Sequence, residues 1–148
     1  MYQKILVPLD GSPRAEAILG HVEELAGRYQ ANVIFLQVIE PKVVLTTEGA
    51  FTPLTEQELD RDKKEAASYL AGIAGKFQAK KIETRTRIAY GPVADAIIKT
   101  AAEENVDLVA MSSHGRSGIA RVFYGSVAAG VLQRVDRPLL LIRARETD

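Results

Sequence analysis

A run of small and polar residues in the last third of the chain has the composition of a phosphate-binding loop. It reads Ser112-Ser113-His114-Gly115-Arg116-Ser117-Gly118, and a Gly125-Ser126 pair follows it. Glycine lets a backbone approach a ligand closely, and a helix N-terminus offers unpaired N–H groups and a positive dipole end. Serine hydroxyls and the Arg116 charge would add to such a site. The alternative for this stretch is a flexible surface loop with a serine cap.

A carboxylate follows the first apolar run of the chain. Residues 5–9 are Ile-Leu-Val-Pro-Leu, and Asp10, Gly11, Ser12 and Pro13 come directly after them. Open parallel sheets bind ligands beyond the carboxyl ends of their strands, so Asp10 would lie at that edge if the run is a strand. The alternative is a helix cap formed by Asp10 or Ser12, with Pro13 at the first helical position.

The apolar pattern predicts the elements that would bring these residues together. Residues 5–7, 33–36, 108–111 and 139–142 are apolar at successive positions, which is typical of strands covered on both faces. Residues 82–88 alternate charged with uncharged side chains, which suits an edge strand. Apolar residues at helical spacing separate these runs. One such helix begins with a capping box at Thr55 and Glu58, and another begins at Gly91-Pro92 with Pro92 as its first residue.

Strand and helix therefore alternate four times before a fifth strand. This order predicts an α/β fold: one doubly wound domain over residues 1–148, with a five-stranded, mostly parallel sheet in the order 3-2-1-4-5 and helices on both faces. An irregular segment from about residue 39 to 53 is long for a connection in such a domain. It is either a functional lid or an insertion without a role.

Composition excludes several classes of protein. The 148 residues are 47% hydrophobic and 26% charged, as in ordinary globular domains. Nineteen basic residues balance nineteen acidic ones, so neither nucleic acid nor an anionic membrane is an expected partner. The absence of cysteine and the presence of two histidines exclude thiol catalysis and Cys- or His-rich metal sites. With no secretory signal and no long apolar segment in the sequence, we expect a cytoplasmic protein.

Together these stretches resemble the universal stress protein family. The resemblance covers essentially the whole chain and is carried by residues 4–12, residues 113–118 and Gly125-Ser126-Val127. ATP-binding members of that family have Gly-x2-Gly-x9-Gly followed by Ser or Thr. Gly115, Gly125 and Ser126 keep this spacing, whereas Ser112 replaces the first glycine and its side chain could crowd a ribose.

The resemblance implies a site for ATP, or for ADP or AMP, with Mg²⁺ shielding the phosphates. It places Asp10 at the ribose, near Pro8 and Leu9, and Val38 against adenine through its backbone. Met111 and Ser112 would line the adenosine. The phosphates would lie along the loop of His114, Gly115, Arg116, Ser117 and Gly118, with Gly125, Ser126 and Val127 donating from the helix start. For His114 the alternative is a hydrogen bond that braces the loop.

Two classes of function remain open. Either nucleotide binding causes a conformational or assembly change in a stress response, or the protein is a slow ATPase or autophosphorylating enzyme. Hydrolysis needs an oriented water and stabilised transition-state charge, and the loop offers Arg116 but no nearby carboxylate base, so binding is favoured. A family member that binds no nucleotide is a third possibility, because of Ser112. Gly125→Val is expected to weaken binding and to leave the fold intact.

Other doubly wound families fit less well. A receiver domain needs paired acids after the first strand, but Asp10 stands alone, and a haloacid-type phosphatase needs an aspartate where Ser12 lies. Neither a Gly-x4-Gly-Lys-[Ser/Thr] loop nor a Gly-x-Gly-x2-Gly fingerprint occurs in the sequence.

The last apolar run predicts a homodimer. Residues 139–142 are Leu-Leu-Leu-Ile, without lysine, proline or glutamate to discourage pairing at a sheet edge. Pairing with the same strand of a second copy about a two-fold axis would cover that edge. The alternative is a monomer in which residues 146–148 or a loop cover the strand.

Overall fold

The chain folds into a five-stranded parallel sheet with helices on both faces. A computed structural model describes residues 1–40, 43–45, 51–53, 55–113 and 125–144. The strands of the main sheet are Lys4–Leu9 (β1), Asn32–Ile39 (β2), Thr84–Tyr90 (β5), Leu108–Ser112 (β6) and Leu139–Ile142 (β7). The helices are Pro13–Glu16 (α1), Leu19–Tyr29 (α2), Glu56–Gln78 (α3), Val93–Glu103 (α4) and Ser126–Arg134 (α5).

The strand order of the main sheet is β5-β2-β1-β6-β7, and every neighbouring pair is parallel. Counted along the main sheet alone, this is the predicted order 3-2-1-4-5, which the structure confirms. The order reverses at β1, whose two neighbours are β2 on one side and β6 on the other. Ligand sites of open α/β sheets lie beyond the strand ends at such a point.

Two apolar layers fill the space between the sheet and its helices. Val7, Phe35 and Leu70 belong to the layer under α2 and α3, where the Phe35 and Phe77 rings meet edge to face at 5.0 Å. Leu6 and Ile97 belong to the layer under α4 and α5. Successive residues of β1 thus face opposite layers, which is why residues 5–9 are apolar without interruption. Among the described helices, none is long and apolar enough to span a bilayer.

The helices α3 and α4 begin near the residues that the sequence predicts, but the first residue of α4 differs from the prediction. At α3 the Thr55 hydroxyl accepts from the Glu58 N–H and the Glu58 carboxylate accepts from the Thr55 N–H, both at 3.1 Å, which confirms the capping box. The prediction for Pro92 is wrong by one residue. Its ψ of 134° is extended, and its carbonyl accepts the first helical hydrogen bond from Ala96, so Pro92 is the N-cap and α4 begins at Val93.

The segment expected to be irregular contains two short strands. Val43–Leu45 (β3) and Phe51–Pro53 (β4) pair antiparallel, with Val43 opposite Pro53. The branched residues of β3 favour extended backbone, a local preference that the sequence analysis did not weigh. Residues 41–42, 46–50 and 54 lie outside the described part of the chain.

The two edges of the main sheet differ in chemistry. On β5, which is at an edge as predicted, Arg85 pairs with Glu104, the C-cap of α4, and Arg87 pairs with Glu103 and Glu104. β7 carries four apolar side chains instead, each half-buried. Charged residues protect an edge from pairing with another chain, so the β5 edge is protected by charge, whereas none of the four β7 residues is charged.

Arg137, before β7, is expected to hold the end of α4 in place. Its Nη1 donates to the carbonyls of Ala101 at 2.9 Å and Val106 at 3.1 Å, and its side chain is 17% exposed. Arg137→Met keeps the apolar stem but leaves these carbonyls without the charged donor. We expect the free energy of unfolding in urea to fall by about 2 kcal/mol. Arg134→Met, which breaks the exposed Asp95 pair, should cost less than about 1 kcal/mol. Equal losses would contradict this role for Arg137.

Candidate functional site

A cleft of about 620 Å³ opens beyond the carboxyl ends of β1, β2 and β6. α3 forms one side of it and the start of α5 forms another. Its volume lies within the range of small-molecule sites, and it occupies the point where the strand order reverses. The described residues that line the cleft are Pro8, Leu9, Asp10, Gly11, Ala15, Gln37, Val38, Ile39, Glu40, Asp62, Glu65, Ala66, Tyr69, Val93, Ile97, Met111, Ser112, Ser113, Gly125, Ser126, Val127 and Ala128.

After β1, a tight turn fixes the position of Asp10. Asp10 Oδ1 accepts from the Ser12 N–H at 2.9 Å and from the Ser12 hydroxyl at 2.6 Å, while Gly11 takes a positive φ of 85°. The same Ser12 hydroxyl accepts from the Ala15 N–H at 3.2 Å and caps α1. Ser12 thus caps α1, as the sequence allowed, and its hydrogen bonds to Asp10 hold the Asp10 carboxylate at the cleft.

Two serines at the end of β6, Ser112 within the strand and Ser113 directly after it, make different contacts. The Ser112 hydroxyl donates to the Ala15 carbonyl of α1 at 3.2 Å, and the residue is buried. Ser112 therefore lines the cleft while its hydroxyl is engaged within the protein. Ser113 is 3% exposed, and its Oγ has no hydrogen-bond partner in the described structure.

Gly125 sits against the backbone at the end of β6. Its N–H donates to the Ser113 carbonyl at 2.7 Å, and the Ser113 N–H in turn donates to the Ile142 carbonyl of β7 at 2.7 Å. A Cβ on residue 125 would lie 2.7 Å from the Ser113 oxygen, which is shorter than a van der Waals contact allows. The protein itself therefore requires glycine at 125, as the N-cap from which α5 begins.

Two buried side-chain atoms lack hydrogen-bond partners among the described residues: Ser113 Oγ and Gln37 Oε1. Both residues line the cleft, from opposite sides of β1. Leaving a buried polar group unpaired costs about 1–3 kcal/mol, so native structures keep few of them. Their presence in one cleft indicates that a polar ligand or ordered water completes their hydrogen bonding.

The side of the cleft formed by α3 is negatively charged. Asp62, Glu65 and Tyr69 line it from α3, and the described lining contains acidic residues but no lysine, arginine or histidine. The Tyr69 hydroxyl donates to Glu16 Oε2 at 2.8 Å. Burial raises the pKa of the Tyr69 phenol far above its ordinary value, and the Glu16 hydrogen bond and the Glu16 and Asp10 charges raise it further. The phenol therefore remains a hydrogen-bond donor at every physiological pH.

Comparison with known proteins assigns the family. The profile of the Universal stress protein family matches residues 1–143. The chain belongs to the universal stress protein family. This confirms the resemblance drawn from the two glycine-containing stretches, and the observed fold agrees with it.

Similar universal stress proteins match along nearly their full length. YxiE of Bacillus subtilis is 31% identical, over 97% of this chain and 100% of the YxiE chain. MJ0577 of Methanocaldococcus jannaschii is 28% identical, over 99% of this chain and 98% of the MJ0577 chain. The solved structure of UspA from Lactobacillus plantarum superposes with a TM-score of 0.82 at 25% identity, covering 96% of this chain and 98% of that one.

Two solved universal stress proteins that share the fold are complexes with adenine nucleotides. One, in complex with cAMP, has a TM-score of 0.71 at 21% identity and covers 97% of this chain and 98% of its own. The other, from Arabidopsis thaliana with AMP bound, has a TM-score of 0.69 at 14% identity. The match covers 98% of this chain and 94% of the Arabidopsis chain. At these identities the likeness establishes a common fold.

Nine of the residues expected to bind nucleotide lie together at the cleft. They are Pro8, Leu9, Asp10, Val38, Met111, Ser112, Gly125, Ser126 and Val127. The remaining ones, His114, Gly115, Arg116, Ser117 and Gly118, lie outside the described residues. That any of these side chains contacts a ligand stays a prediction.

Gln37 and the residues of α3 that line the cleft are not among the site residues predicted from the sequence. Glu65 and Ala66 lie three and four residues after Asp62, and Tyr69 lies four and three residues after them, which places all four on one helix face. That spacing could have indicated from the sequence that these residues share one face of α3. No local signal marks Gln37, because an isolated polar residue in a strand is ordinarily read as surface-facing.

The close contact at Gly125 contradicts the expectation that Gly125→Val leaves the fold intact. It also predicts how smaller substitutions change stability. Gly125→Ala should lower the free energy of unfolding by about 1–3 kcal/mol, because its Cβ must displace the Ser113 carbonyl. Gly72→Ala in α3, where a Cβ meets nothing within 4 Å, should raise it by up to about 1 kcal/mol. Urea unfolding measures both variants. If the two substitutions shift stability in the same direction, the close contact at Gly125 is refuted.

Proposed function

We propose that the cleft binds an adenine nucleotide, and that ATP is its ligand in a stress-response role. The observation that carries this proposal is a pair of buried, unpaired atoms, Gln37 Oε1 and Ser113 Oγ, whose residues line one cleft at the switch point of the sheet. Family members that share the fold and hold cAMP or AMP support the same class of ligand. Residues 1–148 would form one nucleotide-binding domain. The cytoplasmic location of the protein stays a prediction.

The order of the elements suggests how a nucleotide would lie. α5 begins after β6, and its first N–H groups would meet the phosphates. Asp10, at the end of the central strand β1, would meet the ribose hydroxyls. The base would then extend over the end of β2, against Val38 and the apolar side chains beside it. This arrangement lays the nucleotide across β6, β1 and β2 in turn.

Phosphate charge needs a positive partner that the described cleft lacks. Its charged lining residues are Asp10, Glu40, Asp62 and Glu65, all acidic. His114 and Arg116, in the loop after β6, are the residues we expect to supply that charge. Within the described ranges, no group of three or more His, Asp or Glu residues is placed to hold a metal ion. Mg²⁺ would therefore be held mainly by the phosphates, whose charge it shields.

Binding, with a conformational or assembly change as its output, is favoured over turnover. Asp10 Oδ1 already accepts two hydrogen bonds from Ser12, which suits a fixed binding group better than a base that must collect a proton. Slow ATP hydrolysis or autophosphorylation stays the alternative. Phosphate release and phosphate incorporation from labelled ATP distinguish it from binding alone.

Thermal unfolding with ATP, ADP, AMP and cAMP tests the proposed ligand. A nucleotide at about 100 times its Kd stabilises the folded state by about 2.7 kcal/mol, which raises the Tm by roughly 5–10 °C for a chain of this size. Asp10→Asn should weaken binding roughly tenfold by removing the charge of an acceptor. Asp95→Asn, at an exposed ion pair on α4, is the control and should bind as the wild type does. Unchanged melting with all four nucleotides at millimolar concentration would show that the cleft does not bind them.

We also propose that two copies pair through β7. The strand is apolar towards both layers: Leu140 and Ile142 pack on one, Leu139 and Leu141 on the other. The β6 N–H groups of Val109 and Ser113 donate to Pro138 and Ile142 of the β7 segment. Since hydrogen bonds of a parallel strand alternate in direction, the N–H of Leu141 points away from β6, towards the open edge. That edge is the surface a second copy would cover.

Leu141→Pro tests the dimer without removing a hydrogen bond to β6. Proline deletes an outward N–H, so a dimer paired through β7 should shift towards monomer on dilution. Leu141→Ala shortens the side chain but keeps the N–H, and should dimerise more strongly than Leu141→Pro. Light scattering at micromolar concentration measures the mass, against 16.1 kDa for one chain. A wild-type mass of one chain at every concentration would rule out this dimer.

A further inference from the structure

The amide of Gln37 is held in a position that nothing within the described protein explains. Gln37 lies near the carboxyl end of β2, in register with Leu9 of β1 and Ile88 of β5. Its Oε1 is buried without a hydrogen-bond partner among the described residues. An apolar residue of the same length would pack there without that penalty. The amide therefore destabilises the ligand-free fold, which is typical of a group kept for binding.

The surroundings of Gln37 suit a flat, weakly polar group. Leu9, Ile39 and Ala66 are buried, and all three line the cleft on the side of the sheet that faces α3. Apolar walls with one polar group among them are typical of a site that orients an aromatic ring by a directed hydrogen bond. Phosphate would be unfavourable here, because Asp62 and Glu65 lie on the same side of the cleft.

The strand order separates Gln37 from the expected phosphate position. β2 and β6 are separated by β1, hence by two strand spacings, or about 10 Å. With phosphates at the start of α5, next to β6, and ribose at Asp10 on β1, the group that reaches β2 is the base. Gln37 would thus meet the base and neither the sugar nor the phosphates.

We propose that Gln37 recognises adenine by accepting a hydrogen bond from its 6-amino group, an inference that rests on the proposed function. A change of side-chain rotamer would move the whole amide from its buried position towards the base, so that neither Oε1 nor Nε2 stays buried without a partner. An amide offers an acceptor beside a donor, the arrangement that matches the amino group and adjacent ring nitrogen of adenine. A purine without the 6-amino group leaves Oε1 unpaired. Gln37 is therefore a specificity-determining residue for the amino-substituted base.

Affinities of two nucleotides for three proteins test this role. ATP is compared with purine riboside 5′-triphosphate, which has hydrogen in place of the 6-amino group, by calorimetry on wild type, Gln37→Met and Gln78→Met. The wild type should prefer ATP by about 5- to 150-fold, the discrimination of one well-placed amide. Gln37→Met should bind the two nucleotides within about twofold of each other. Gln78→Met, which loses a Thr84 contact outside the cleft, should keep the wild-type preference.

A second measurement separates recognition from a structural role. Since Oε1 is unpaired without ligand, Gln37→Met should melt at the same temperature as the nucleotide-free wild type or higher. Equal wild-type affinity for the two nucleotides overturns the proposal without any variant. An equal loss of affinity for both nucleotides in Gln37→Met, or no change in their ratio, also overturns it. If the wild type binds neither nucleotide, the proposed function itself fails.

Discussion

The fold depends on a central parallel sheet that is buried on both faces. Because α2 and α3 cover one face and α4 and α5 the other, residues such as Leu6 and Val7 have no access to solvent. Polar groups on the inner strands can reach a ligand only where those strands end. The carboxyl ends of β1, β2 and β6 therefore hold the cleft, and the reversal of strand order at β1 keeps helices from closing over it.

Short backbone hydrogen bonds join the cleft to the edge of the sheet. The Ser113 carbonyl accepts from the N–H of Gly125 and the Ser113 N–H donates to the carbonyl of Ile142, so one residue links the start of α5, the end of β6 and β7. The cleft and the β7 edge are thus joined through Ser113. In a universal stress protein that pairs through β7, the nucleotide and the second copy would act on the same backbone segment.

Stability and binding make opposing demands at the cleft. Ser112 and Ser12 use their hydroxyls within the protein, whereas Ser113 and Gln37 keep buried polar atoms unpaired among the described residues. The charged side chains of the described lining are all acidic. Unpaired buried atoms weaken the isolated fold, and a bound ligand would compensate for them, which is why the cleft departs from the well-satisfied packing of the two apolar layers.

The sequence by itself determined the strand runs, the α3 capping box, the fold class, the family and nine of the residues that line the cleft. These follow from local patterns: branched apolar runs, the Thr55 and Glu58 pair, and the spacing of Gly115, Gly125 and Ser126. Only the tertiary structure decided what depends on distant partners. It bonded Ser112 to Ala15 of α1, pressed Gly125 against Ser113, and left Gln37 unpaired beside α3. No local pattern encodes such contacts, because each depends on how separate elements pack.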